Sequence, residues 1–134
     1  KLPRIRPNLF MDGTQVFAFT LREVVKSITQ CLDTAEVTLD DVDLVVMHQA
    51  NKMMLEKLAS KLGVAKEKVL INMQDVGNVS SASIHLAMCM ASERVEKAKS
   101  LLLVGFGVGW SWGSVFIRKS SIQAKVLCEP YLPT

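Results

Sequence analysis

The sequence predicts an α/β layered fold with a mixed sheet, and three observations support that prediction. Amphipathic segments with apolar residues at three-to-four spacing alternate with short apolar runs of strand length. The run Leu-Val-Val-Met at 44–47 is apolar throughout, which is typical of a parallel strand buried on both faces. Two later apolar runs, 101–106 and 110–117, meet at a glycine-containing corner, so we expect them to form an antiparallel pair.

Length and composition limit the class of protein. The chain has 134 residues, 49% hydrophobic and 22% charged, which suits one domain with a sizeable core and excludes a disordered class. The net charge of +3 is spread along the chain and argues against a nucleic-acid partner. No apolar run reaches the roughly 20 residues that a membrane helix requires, so no membrane association is expected.

Cysteine usage indicates a reducing compartment. Cys31, Cys89 and Cys128 are odd in number and show no Cys-x-x-Cys spacing, so neither a disulfide scaffold nor a zinc site is expected. We therefore predict no metal site and a cytoplasmic location. Cys31 and Cys89 fall inside predicted helices, away from the helix N-termini that lower a thiol pKa, and Cys128 falls in a tail. None of them is expected to be a nucleophile.

The periodicity predicts the order of the elements. We expect helices at 14–32, 51–62 and 80–94 and strands at 42–47, 69–72, 101–106 and 110–117. Asp12 or Thr14 can cap the first helix, and Gly63 can end the second. The third helix carries small or apolar residues on nearly all sides, so we expect it to be packed between two sheets. We expect its His85 to be a packed helix residue. Four strands with one such helix make half of a five-layer sandwich.

The domain organisation follows from the same pattern. We predict a single domain over residues 1–134 with an irregular tail at 119–134. The all-apolar helix needs a second sheet to cover it, so the fold is expected to be incomplete on its own. The chain begins at Lys1 in loop-like sequence, which indicates a piece of a longer protein.

The first candidate site is the tetrad His48-Gln-Ala-Asn51 at the end of a predicted strand. In open α/β sheets, ligands bind at this edge, where helix N–H groups also point. A histidine that is only structural is the alternative. The second candidate is Gly77-Asn78 followed by Ser80-Ser-Ala-Ser83, for which a simple turn and helix cap is the alternative.

The third candidate is the glycine-rich stretch Gly105-Phe-Gly107-Val-Gly109. It does not fit a dinucleotide fingerprint, because Trp110 stands at the place of the third glycine and a strand follows instead of a helix. A tight corner that offers backbone N–H groups to a ligand is the better interpretation.

These motifs, taken in order, resemble one family. His48-Gln-Ala-Asn51, Gly77-Asn-Val-Ser-Ser-Ala-Ser83 and Gly105-Phe-Gly-Val-Gly-Trp-Ser-Trp-Gly113 resemble the C-terminal half of β-ketoacyl-[acyl-carrier-protein] synthase III, a thiolase-fold condensing enzyme. Met11-Asp-Gly13 resembles the opening of that half's first helix. The resemblance spans about residues 8–118 and implies the C-terminal half of a thiolase-like five-layer αβαβα sandwich. Elongating synthases differ, since they have a second histidine in place of Asn78.

The resemblance implies roles for individual residues. His48 and Asn78 match the two non-nucleophilic members of a Cys-His-Asn triad. The segment that binds the carrier protein matches Gln49, Ala50, Asn51, Lys52 and Met53. Positions that line the pantetheine tunnel match Gly13, Phe17, Ala50 and Asn51. Phe106 matches a residue beside the nucleophile, and the Val108 N–H matches an oxyanion-hole donor. The family usually has arginine at the place of Met53, and Lys52 is the neighbouring cation that can replace it.

The implied reaction is a decarboxylating Claisen condensation of an acyl primer with malonyl-[acyl-carrier-protein], which initiates fatty acid biosynthesis. The enolate oxygen that forms needs two neutral or positive donors, and an imidazole with a carboxamide supplies them. The nucleophilic cysteine belongs to the family's N-terminal half, which the sequence lacks. The implied partners are an acyl carrier protein, acyl-coenzyme A, that N-terminal half and a second copy in a homodimer. The substrates are coenzyme A or phosphopantetheine thioesters, with no cofactor.

Two alternatives stay open. One is a ketosynthase-like acyltransferase of secondary metabolism with an unusual primer, for which the departure at Met53 leaves room. The other is a non-catalytic partner subunit, against which the presence of both His48 and Asn78 counts.

Overall fold

A three-stranded mixed sheet forms the centre of the fold. The computed structural model describes residues 11–107 and 110–118 of the chain. Strand β1 (Leu44–Met47) pairs in parallel with β2 (Ser100–Gly107), and β2 pairs antiparallel with β3 (Ser111–Arg118), in the order β1-β2-β3. All four residues of β1 are buried. The parallel strand and the antiparallel pair expected from the sequence are thus confirmed.

The first helical region runs from Gly13 to Thr34 and contains a π-helical turn. Helix α1 (Gly13–Phe19) is followed by the π turn Thr20–Val24 and then by α2 (Val25–Thr34). The Asp12 side chain caps α1 by accepting a hydrogen bond from the backbone of Gln15 at 3.1 Å. The expected helix over 14–32 is therefore present with Asp12 as its cap, and the π turn was not expected.

Helix α3 (Lys52–Leu62) follows β1 and begins beside the candidate tetrad. The Asn51 side chain accepts a hydrogen bond from the Met54 backbone at 2.8 Å and so caps the helix. Gly63 ends it at φ 72°, in the left-handed region that glycine adopts without strain. The sequence signals at both ends of this helix are confirmed.

The prediction of a strand at 69–72 is wrong. Val69 makes one isolated parallel bridge with Val45, and the chain then enters the short helix α4 (Met73–Val76). The Gln49 side chain explains why no strand forms, because it donates to the Leu70 carbonyl and accepts from the Asn72 backbone. A side chain thus bonds the polar backbone groups that a neighbouring strand would otherwise pair.

The expected helix over 80–94 is interrupted. A 3₁₀ turn (Ser80–Ala82) leads into α5 (Ser83–Met90), the chain breaks its helical path at Ala91, and α6 (Ser92–Lys97) follows. Within these described residues α5 buries one face and leaves the other uncovered, with Met90 43% exposed. His85 lies exposed on α5 in the part of the chain described, so the expectation that it is packed stays a prediction.

Two apolar clusters occupy the two faces of the sheet. On one face, residues from α2 and α3 pack against Val45, Met47 and Val104. On the other face, Ala87 of α5 and Val95 of α6 pack against Leu44, Val46 and Leu101. The described residues therefore form helix, sheet and helix layers. Among residues 11–107 and 110–118, no helix is long and apolar enough to cross a membrane. The predicted tail at 119–134 lies outside the described residues.

Candidate functional site

His48 is the first residue after β1, at the carboxyl edge of the parallel pair. Its backbone N–H donates to the Val104 carbonyl at 2.8 Å, which extends the pairing of β1 with β2 by one residue. The imidazole packs edge-on against the Phe106 ring, with centroids 5.4 Å apart. The strand pairing and this ring contact therefore hold the half-buried imidazole in one place.

Ser83 is the second polar residue of the site, and sequence reasoning did not single it out as a functional group. Its Oγ lies 2.6 Å from His48 Nδ1, and its side chain is 2% exposed. Ser83 opens α5 on the same buried face as Ala87, four residues later. A serine on the buried face of an apolar helix is the signal that could have revealed it, since a buried hydroxyl needs a polar partner.

Asn78 is held by a turn that begins at a glycine. Gly77 adopts φ 68° and ψ −162°, a backbone conformation that only glycine reaches easily. Asn78 Oδ1 accepts a hydrogen bond from the Ser80 backbone at 2.9 Å, so the amide orientation is set. Its Nδ2 lies 3.5 Å from the Ala50 carbonyl, two residues beyond His48. The structure thus brings the Asn78 turn against the His48 loop, and the Asn78 carboxamide is exposed.

The Asn78 turn carries backbone strain. Ser80 has φ 55°, a left-handed conformation that is uncommon for a residue other than glycine. Its backbone bonds both Asn78 and the His48 ring. Strained residues concentrate at functional sites, where surrounding contacts hold them in place.

The His48 imidazole is neutral near pH 7. Burial lowers the pKa of His48, because a charged ring loses more hydration than a neutral one. A backbone hydrogen bond with Ser80 favours the charged ring and opposes this effect, but burial is the larger cause. A neutral imidazole can donate from one nitrogen and accept at the other.

We expect the His48 ring to titrate below about 6.5, the ordinary histidine value. Proton NMR of the ring during a pH titration of the full-length protein measures this midpoint, with His48→Gln used to assign the signal. Because the pKa of His48 is lower in the folded chain than in the unfolded chain, the unfolded chain takes up the proton first as the pH falls. The free energy of unfolding is therefore expected to decrease as the pH is lowered through about 6.5. A midpoint above 6.5 contradicts the expectation.

Gln49 does not have the role that the resemblance implied. Its side chain is 1% exposed, and Nε2 donates to the carbonyls of Met47 and Leu70 at 2.8 and 3.1 Å. Its Oε1 accepts from the Asn72 backbone at 3.1 Å. A side chain that is buried and fully bonded cannot contact a carrier protein, so we remove Gln49 from that set.

The other candidate residues fall into exposed and packed groups. Asn51, Lys52 and Met53 are exposed at the start of α3, with Met53 60% exposed. Gly13 is exposed at the start of α1, and Phe17 and Ala50 pack at the edge of the apolar cluster. Phe106 is buried against His48. Val108, the expected oxyanion-hole donor, lies outside the described residues.

The arrangement supplies two neutral hydrogen-bond donors at one edge of the sheet. An imidazole and a carboxamide, each anchored on its far side by the segment 78–83, can stabilise an oxygen that becomes negatively charged. Within residues 11–107 and 110–118, the hydrogen bonds and ring contact of His48 and Asn78 involve no Glu or Asp side chain. Such a pair suits an anionic intermediate.

Comparison with known proteins gives a match for most of the chain. Residues 32–119 match the family model described as the C terminal of 3-oxoacyl-[acyl-carrier-protein (ACP)] synthase III. The chain belongs to this family. The resemblance drawn from the three motifs is thereby confirmed.

Individual synthase III proteins match at moderate identity. The chain is 39% identical over 119 residues to β-ketoacyl-[acyl-carrier-protein] synthase III of Streptococcus sanguinis, a match that covers 84% of this chain and 36% of that protein. It is similar in structure to 3-oxoacyl-[acyl-carrier-protein] synthase III of Aquifex aeolicus, with TM-score 0.77 and 35% identity over 81% of this chain and 36% of the other. The chain therefore spans about a third of the length of these synthase III relatives.

A third similar protein is a ketosynthase of a polyketide pathway. The chain is similar to the priming β-ketosynthase of the R1128 polyketide biosynthetic pathway, with TM-score 0.74 and 34% identity over 84% of this chain and 35% of the other. The α/β fold expected from the sequence, as part of a thiolase-like synthase III, agrees with these structures.

Proposed function

We propose that this chain provides the C-terminal half of a synthase III-type condensing enzyme that starts fatty acid synthesis. The observation that supports this best is the His48–Asn78 pair, in which each side chain is anchored so that a donor group remains for a substrate oxygen. The family membership and the names of the relatives support the same activity. The nucleophilic cysteine of the enzyme is supplied by its N-terminal half.

The reaction takes place in three steps. An acyl group moves from a coenzyme A thioester to the cysteine sulfur, and coenzyme A leaves. The malonyl thioester then loses CO₂, and the electron pair of the broken carbon–carbon bond stays with the thioester to form an enolate. The enolate oxygen accepts hydrogen bonds from His48 and Asn78. The enolate carbon attacks the acyl-cysteine carbonyl, so that a carbon–carbon bond forms, the cysteine leaves and a β-ketoacyl thioester results.

The partners follow from this chemistry. An acyl carrier protein brings the malonyl thioester, acyl-coenzyme A supplies the primer, and the substrates need no cofactor. The N-terminal half covers the open face of α5, and two copies form a homodimer. The odd number of cysteines, three, without Cys-x-x-Cys spacing supports a cytoplasmic location.

The activity is tested by following acyl transfer and CO₂ release separately in the full-length protein. Labelled acetyl-coenzyme A and a panel of longer acyl-coenzyme A primers are the acyl donors, with malonyl carrier protein as the second substrate. We expect labelled protein and CO₂ release with at least one primer. Normal folding with neither label transfer nor CO₂ release contradicts the proposal and favours a non-catalytic subunit.

A ketosynthase of secondary metabolism is the second candidate. The similarity to a priming β-ketosynthase of a polyketide pathway favours it, and so does Met53 at a position where the family usually has arginine. The same primer panel separates the two candidates. Preference for acetyl-coenzyme A supports fatty acid initiation, and preference for a longer or branched primer supports the second candidate.

The exposed start of α3 is the proposed docking point for the carrier protein. Lys52 is the exposed first residue of this helix, beside exposed Met53, whereas Lys61 is already bonded to the Leu21 carbonyl. An acyl carrier protein is acidic, so a cation here attracts it. We propose that Lys52 supplies the charge that is missing at Met53.

Lys52→Glu is expected to raise KM for malonyl carrier protein by about tenfold and to make it more sensitive to salt, because attraction becomes repulsion. KM for acyl-coenzyme A is expected to change little. Steady-state kinetics at several salt concentrations measures both. Lys66→Glu makes the same charge change beyond the other end of α3 and is the control. An equal effect of both variants contradicts the docking assignment.

A further inference from the structure

The Ser83 hydroxyl lies between α5 and two successive residues of the loop after β1. Its Oγ is 2.6 Å from His48 Nδ1, and it accepts a hydrogen bond from the Gln49 backbone N–H at 3.3 Å. With 2% of the residue exposed, these contacts are internal to the described residues. They do not depend on how the exposed side of the site is covered.

The hydrogen bonds at this oxygen can be counted. A backbone N–H only donates, so Ser83 Oγ is the acceptor for Gln49, and the hydroxyl hydrogen is left to be given to another group. His48 Nδ1 lies within reach of that hydrogen. When Nδ1 accepts it, the single proton of the neutral imidazole must be on Nε2.

We propose that Ser83 is a positioning residue that holds His48 in the tautomer with its proton on Nε2. The catalytic consequence rests on the proposed function: Nε2–H is the imidazole donor for the enolate oxygen. In the opposite tautomer, Nδ1–H donates to Ser83, and Nε2 presents a lone pair that repels an anion. Ser83 therefore selects the form of His48 that can stabilise the enolate.

The wild-type full-length protein gives the first test. Nitrogen-15 NMR of the His48 ring near pH 7 distinguishes a protonated nitrogen from an unprotonated one, and His48→Gln assigns the signals. We expect Nε2 protonated and Nδ1 unprotonated. A protonated Nδ1 overturns the inference, whatever the enzyme's activity.

Variants at the serine give the second test. Ser83→Ala is expected to mix the two tautomers and to lower kcat for CO₂ release by about 10- to 100-fold, the range found when a group that orients a metal-binding histidine is lost. KM for the malonyl thioester is expected to change little. Ser83→Thr keeps the hydroxyl and is expected to restore the Nε2–H tautomer and most of kcat. Ser60→Ala, at an exposed serine of α3 outside the three motifs, is the control and is expected to behave as wild type.

The outcomes separate this inference from the proposed function. Ser83→Ala with an unchanged tautomer, or with a fall in kcat that Ser60→Ala reproduces, overturns the positioning role. A wild-type protein with the expected tautomer that releases no CO₂ overturns the proposed function and leaves the Ser83–His48 assignment standing.

Discussion

Asn78→Ala in the full-length protein is expected to lower CO₂ release by about 10²- to 10³-fold while acyl transfer to the nucleophilic cysteine continues. Removing one donor from an oxyanion site typically costs that much, because the enolate oxygen is then left with a single donor. The resemblance implies that backbone N–H donors serve the acyl transfer step instead, so we expect that step not to need the carboxamide. Labelled acyl transfer and CO₂ release, followed separately, measure the two steps.

Asn78→Asp distinguishes a donor from a turn residue. Aspartate keeps an oxygen that can accept from the Ser80 backbone, so the turn is preserved, but it has no N–H and carries a negative charge. If Asn78 donates to the enolate, both variants lose CO₂ release. Full activity in Asn78→Asp reduces Asn78 to a turn residue and contradicts its assignment.

His48→Ala is expected to lose CO₂ release to a similar extent and to slow acyl transfer modestly, since the imidazole can also assist the thiol. The double variant His48→Ala/Asn78→Ala is expected to lose less than the product of the two single losses. Both groups act on one oxygen, so their effects are not additive. A fully multiplicative loss contradicts a shared site.

Gln49→Ala is expected to give the largest loss of stability, about 3 kcal/mol or more. It leaves the buried Met47 and Leu70 carbonyls and the part-buried Asn72 N–H without their partner, and each fully buried group of this kind costs about 1–3 kcal/mol. Thermal unfolding of the full-length protein measures the effect as a fall in Tm. CO₂ release is expected to fall as well, because the loop that carries His48 loses its attachment to residues 70–72.

Gln74→Ala is the matched control for this loss, since Gln74 is an exposed glutamine on α4. Exposed substitutions of this kind usually change stability by less than about 0.5 kcal/mol. Equal Tm values for Gln49→Ala and Gln74→Ala contradict the view that Gln49 is a structural clamp.

Sequence signals predicted helix ends and a buried strand well where these depend on residues that are close in sequence. Asp12 and Asn51 each have a side-chain oxygen that bonds the first turn of a helix, and Gly63 takes the left-handed conformation that ends one. The run 44–47 is buried on both faces as its apolar pattern indicated. These features depend on residues close in sequence, so the sequence alone is enough to predict them.

The pairing of distant segments was less predictable. Residues 69–72 have the composition of a strand, but the Gln49 side chain bonds the backbone of Leu70 and Asn72. No local pattern shows that a glutamine 21 and 23 residues earlier will do so. In the same way, helical periodicity did not reveal the break at Ala91, because the packing of α5 and α6 against the sheet sets the direction of the chain there.

The candidate site also has features that the sequence predicted and features that only the tertiary structure shows. The sequence by itself determined the family and predicted the two donors, His48 and Asn78, because both stand in motifs that a reader can recognise. Only the tertiary structure decided that Gln49 is a buried clamp and that Ser83 is the partner of His48. Ser83 is 35 residues from His48 in the chain, and their hydrogen bond exists because β1 and α5 are packed together. A contact of this kind depends on the relative position of two elements, which the residue pattern of neither element contains.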